Sequence, residues 1–233
     1  DLTVNNFFHH TILFGFLKML SLLILMSLIP PVSMLSAKQL SGINEISDSD
    51  FRPVRESRVK LGRLLFYDNI LSGNSNISCG TCHHHQHHGS DGVSLGVGEG
   101  GSGVGLKRTA GKEDSRIKKR VPRNTPALFN LGATEISMMF YDGRLSLGEE
   151  YENGFNSPAE EWLHEGVDNL LAAQALFPMA AEFEMAGNSG ENQVVGAIYD
   201  RIDKGWPILS KRVRVIPEYG KLFVAAFDDI SDP

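Results

Sequence analysis

Cysteine is almost missing from this chain: among 233 residues only Cys79 and Cys82 carry thiols. A zinc ribbon needs a second thiol pair, and none exists. Charge of one sign is not in large excess either. With 22 basic and 28 acidic residues the net charge is −6, which argues against a broad nucleic-acid-binding surface. Strand-type alternation is absent over any useful length, and no internal repeat is evident. The apolar content of 42% is ordinary, and the length suffices for one or two domains with a core.

The two cysteines stand in Cys79-Gly80-Thr81-Cys82-His83. Two thiols three positions apart, followed at once by an imidazole, form the attachment signature of c-type haem. This spacing lets both sulfurs form thioethers with the two vinyl groups of one porphyrin. His83 then turns its ring to the iron as the proximal ligand. A redox disulfide and a different metal site are the alternatives. His84, His85, His87 and His88 follow directly and suit zinc or copper. A thioredoxin-like site would need a strand-led α/β pattern, which the sequence does not show.

One long apolar run is present, Met19 to Ile29, preceded by Lys18 and broken by Pro30-Pro31. Ser36-Ala37 then precede polar sequence, so residues 1–37 read as a secretory signal peptide cleaved after Ala37, with Leu35 where a small residue is preferred. The run is too short to span a membrane comfortably. Met19 also reads as a true start, which would make residues 1–18 upstream, non-native sequence. Export agrees with covalent haem attachment, which in bacteria takes place outside the cytoplasm. A periplasmic or secreted location is therefore expected.

The remainder reads as helices joined by long loops, an all-α fold. Ser57 to Asp68 carries apolar residues near helical spacing. Val167 to Phe177 reads as a buried helix that Pro178 ends or kinks. Asn192 to Ile202 places Val194, Val195, Ile198, Tyr199 and Ile202 on one face, and Pro217 opens a last helix through Ala226. Gly96-Val97-Gly98-Glu99-Gly100-Gly101 matches a dinucleotide-binding pattern formally, but the strand-helix context is missing. This glycine-rich stretch reads as a flexible loop or as backbone lying close against a haem face. The basic segment Lys107 to Arg123 reads as a solvated loop, with Arg123 the expected exception.

Taken in order, several blocks of this chain resemble the bacterial di-haem cytochrome c peroxidase family, which includes the MauG-type enzymes. Leu61-Gly62-Arg63-Leu64-Leu65-Phe66-Tyr67-Asp68 leads through Leu71-Ser72-Gly73-Asn74 into the haem motif. Arg123-Asn124-Thr125-Pro126-Ala127-Leu128, Phe140-Tyr141-Asp142-Gly143-Arg144 and Ala173-Gln174-Ala175-Leu176-Phe177-Pro178 with Glu184-Met185 follow. The resemblance implies a cytochrome c-like haem domain over residues 38–233, the N-terminal one of two. A second haem domain is expected beyond Pro233, or on another chain.

The resemblance also implies a mechanism. The haem held by Cys79, Cys82 and His83 is the peroxide-reacting one. Glu184 is the acid/base that moves the peroxide proton, and Gln174, ten residues earlier with Pro178 between, orients peroxide or water. Glu160 in Ser157-Pro158-Ala159-Glu160-Glu161 ranks second for the same role. Tyr141 occupies the position of an aromatic bridge between the haems, where tryptophan is usual. The Asn124 block corresponds to part of a calcium site. A histidine from the group after His83 is a minor candidate for a resting distal ligand. Expected partners are hydrogen peroxide, a cytochrome, cupredoxin or small electron donor, and a second copy in a homodimer, with no nucleic acid. The alternatives are a plain electron-transfer cytochrome, MauG-like oxidation of a protein side chain, and non-haem metal binding.

Overall fold

A computed structural model describes residues 45–228, so the expected signal peptide lies outside the described residues. The described residues from Ser47 onward cluster as one compact unit. Among the described residues no helix is long and apolar enough to cross a membrane.

The first helix, α1 (Glu56–Tyr67), buries Leu61 and half-buries Leu65. The haem motif forms α2 (Cys79–Cys82), one turn entered through Ser78, whose backbone N–H donates to Thr81 Oγ1 at 3.1 Å. Next in sequence among the α-helices comes α3 (Leu170–Leu176), then α4 (Gln193–Ile198). Both begin at an asparagine: Asn169 accepts from the Ala172 N–H and Asn192 from the Val195 N–H, satisfying donors that a helix start leaves open. α5 (Gly205–Arg214) and α6 (Pro217–Ala226) close the described chain.

A small antiparallel sheet interrupts this helical plan: β1 (Met138–Met139), β2 (Leu145–Leu147) and β3 (Phe155–Asn156), in the order β1-β2-β3. Met139 faces Leu145 and Leu147 faces Phe155. Strands of two or three residues are too short to show alternation in the sequence, which is why none was legible. The sheet packs on α3 through Met139, Leu145, Phe155, Leu170, Ala173 and Phe177. A second cluster joins α1 to α5 and α6 through Leu61, Val213, Tyr219 and Ala226. A third holds Ala186, Val194 and Leu209. Tyr199, expected on the apolar face of its helix, is 83% exposed, because α4 ends at Ile198.

Three features bring the haem motif to the rest. Tyr67 of α1 lies against Gly80, where a Cβ would collide with its ring. Arg212 of α5 donates to the Ser72 and Gly73 carbonyls at 2.7 and 3.0 Å. The Gly73 N–H donates to the Met185 carbonyl at 2.8 Å, seating the segment before the motif on a π-helical turn, Glu182–Ala186.

Candidate haem site

His83 leaves α2 as its C-terminal cap, and its ring is held from one side. Nδ1 lies 2.9 Å from the Gly89 carbonyl and 3.1 Å from the Pro126 carbonyl. Carbonyl oxygens only accept, so Nδ1 carries the proton and Nε2 keeps its lone pair for a metal. Burial lowers the ring's proton affinity, against the two carbonyls and Asp91, which raise it; the neutral form is favoured. The Cys79 and Cys82 thiols are unpaired. Burial pushes both up, Cys82 to about 11, with Arg108 opposing and Asp91 and Glu184 adding to the rise. Two uncharged thiols and a neutral imidazole on one turn fit the donor set of haem c.

The glycine-rich stretch wraps this turn. Cys82 Sγ lies 3.8 Å from the Val97 carbonyl. Gly98 sits so close to the π-helical turn that a Cβ there would fall onto the Phe183 carbonyl, and the Glu99 N–H donates to the Glu184 carbonyl at 2.9 Å. Arg108 laces the stretch together, donating to the Val97, Gly98 and Gly103 carbonyls at 2.5, 2.6 and 2.7 Å. The basic segment thus turns Arg108 inward. Arg123, expected as the exception, stays exposed and stacks its guanidinium 4.0 Å from the Tyr141 ring centre. Glu99 is buried and accepts from the Asn74 and Asn76 amides at 2.9 and 2.6 Å.

Glu184 is half-buried on the π-helical turn, a helix type that often marks functional positions. Burial raises its proton affinity above the ordinary carboxylate range, and Arg144 partly offsets this. Arg144 also lies 3.9 Å over the Phe140 ring and grips Asp142. Phe140 holds a φ of 64°, a left-handed conformation rare for a bulky residue. Gln174 is half-buried on α3 and shares no hydrogen bond with Glu184. Glu160 is exposed on a 3-10 turn, Glu160–Trp162. Tyr141 is 64% exposed. Asn124 donates its amide to the Val93 carbonyl at 2.6 Å and is otherwise open to solvent.

The histidines after His83 do not converge. His84 and His85 stack at 4.4 Å, His87 packs under Gly105, and His88 tilts toward Phe129 at 6.5 Å. Among the described residues no three His, Cys, Asp or Glu side chains gather into a metal-holding group. Sequence reasoning missed Asp91, Glu99 and Arg108, and the two carbonyls at His83. Asp91-Gly92 carries only a turn signal, and a carbonyl acceptor leaves no side-chain signature.

A family model for di-haem cytochrome c peroxidase matches residues 56–233. Cytochrome c551 peroxidase of Pseudomonas aeruginosa is 30% identical over 117 residues, covering 50% of this chain and 28% of the relative. Methylamine utilization protein MauG of Methylorubrum extorquens is 27% identical over 175 residues, covering 75% of this chain and 33% of the relative. A solved MauG-like protein associated with microbial copper homeostasis aligns over 81% of this chain and 38% of its own, at 22% identity and a TM-score of 0.38. The matches thus span about a third of the length of these curated relatives. The family match takes in the attachment turn, both segments that hold His83 and the turn that carries Glu184, and the chain belongs to the di-haem cytochrome c peroxidase family.

Proposed function

We propose that this chain supplies the peroxide-reacting haem domain of an exported di-haem enzyme. Family membership makes it a haem protein of peroxidase or oxidase type. The finer reading is hydrogen peroxide reduced to two waters, with two protons from solvent and two electrons arriving through a second haem from a cytochrome, cupredoxin or small donor. Cys79 and Cys82 would hold the haem by thioethers and His83 would ligate its iron through Nε2. When bound, haem supplies the iron that peroxide binds and the electrons that split the O–O bond.

The protein's own part is proton handling. One observation carries the reading: Glu184 is a desolvated carboxyl, with its proton affinity raised, on a turn fastened to the Cys82 side by Gly98 and Glu99. A group so poised takes a proton from one peroxide oxygen and returns it to the other. Gln174 orients peroxide or water by hydrogen bonding. Tyr141 relays the electron, and its oxidation is coupled to loss of the phenolic proton; the Arg123 guanidinium lies against the ring. Asn124 offers a carbonyl oxygen of the kind that calcium takes.

The test is Glu184→Gln in haem-loaded protein. Stopped-flow mixing with peroxide should show the reaction slowed by about 10²–10⁴-fold, the usual worth of a positioned acid/base. An unchanged rate removes Glu184 from the mechanism. Expression with a cytochrome c maturation system should give haem that survives a denaturing gel. A colourless product there ends the haem reading.

A further inference from the structure

Both carbonyls that accept from His83 belong to segments laced to each other. Gly89 is followed by Ser90, whose hydroxyl donates to the Thr125 carbonyl at 2.7 Å. Thr125, immediately before Pro126, donates its own hydroxyl to Asp91 at 3.0 Å. The two bonds run in opposite directions between the same two segments. They fix the distance between the acceptors that hold the imidazole.

Asp91 is an unusual residue to find in that role. It is 1% exposed, and besides Thr125 it accepts only the Val93 N–H at 3.1 Å. It forms no ion pair among the described residues. Gly96 closes over it: a Cβ there would lie 3.2 Å from the Asp91 carboxyl and 3.3 Å from the Thr125 hydroxyl. A carboxylate is costly to enclose without a cation, so a merely structural role would be served as well by asparagine. It stands two residues after Gly89, whose carbonyl accepts from the His83 ring, and its partner Thr125 stands immediately before Pro126, the second acceptor.

We propose that Asp91 is a positioning residue for the iron ligand: through Thr125 it sets the two carbonyls that orient His83, and its carboxylate favours the oxidised state of the bound iron. This rests on the reading of His83 as ligand. A histidine donating strongly through Nδ1 pushes more electron density through Nε2, and a carboxylate nearby acts in the same direction.

Three variants of the haem-loaded full chain test it: Asp91→Asn, Thr125→Val and Thr125→Ser. Spectroelectrochemical titration should show a higher midpoint potential for Asp91→Asn. In the paramagnetic proton spectrum, Thr125→Val should shift the exchangeable ring N–H signal of the iron-bound histidine and speed its exchange with solvent. Thr125→Ser, which restores the hydroxyl, should match the parent in both. A parental potential in Asp91→Asn, or a parental signal in Thr125→Val, overturns the proposal. If Asp91→Asn takes up no haem, Thr125→Val decides alone. A parent protein without the histidine signal, together with a His83→Ala variant of unchanged spectrum, overturns the ligand assignment itself and so is distinguishable.

Discussion

Glu184 is a carboxyl whose surroundings hold a proton more tightly than water does. Burial removes water from the charged form, and Arg144 returns only part of that loss. Its folded value lies above its unfolded one, so the folded state binds the extra proton more tightly. The stability this confers is present below the unfolded value, about 4.3 for a free glutamate, and is lost as pH rises through the folded value. Glu184→Gln should therefore unfold at a higher temperature than the parent near neutral pH, with the gain shrinking in acid. Thermal unfolding across a pH series checks this, and a gain that grows in acid would contradict it. On the proposed role the same substitution should slow the peroxide reaction while stabilising the chain, which would separate a reactive group from a structural one. The thiols and His83 stand out in the sequence as residue types at a given spacing, whereas Gln174 and Glu184 enter only through the resemblance to the family. The groups that tune them do not stand out, because Arg108 reads as one cation of a basic run and Asp91 as part of a turn.

Glycines divide the elements into those that tolerate a side chain and those that do not. Gly98 meets the π-helical turn, so Gly98→Ala must push backbone against backbone, at a cost of about 1–3 kcal/mol. The displaced turn carries Glu184, so the peroxide rate should fall as well. Gly62, exposed inside α1 with nothing within 4 Å of an added Cβ, is the control. Gly62→Ala should stabilise by about 0.4–1 kcal/mol and leave the rate alone, since only the unfolded chain loses freedom. Denaturant unfolding of the pair measures both. Elements with a chemical boundary were readable in advance: Asn192 starts α4, and Pro217 opens α6. α5 was not, because Pro207 near its start reads as a breaker, although it falls within the first turn, where proline is accepted. The expected helix from Val167 begins instead at Leu170, where Asn169 can cap it.

At the scale of the molecule, no single core carries the fold. One apolar cluster binds the sheet to α3, another joins the two ends of the described chain, and a third sits under the π-helical turn. Leu145, with no exposed surface, is central to the first. Leu145→Ala should cost about 2–5 kcal/mol, read as a lower denaturant midpoint. Those clusters draw on side chains from positions far apart, so the sequence shows their members but not their grouping. The haem turn is held between them largely by backbone. One consequence concerns the order of assembly. The Gly89 carbonyl is six residues from His83, and the Pro126 carbonyl is 43. Short-range closure is fast and long-range closure is slow. During folding the Gly89 tether is therefore expected to form before the Pro126 one, leaving the ring held once and free to pivot about that contact. The second tether arrives only when a distant stretch of chain has docked. The orientation of a single imidazole is thus a clock hand for the whole domain, telling a partly folded chain from a finished one.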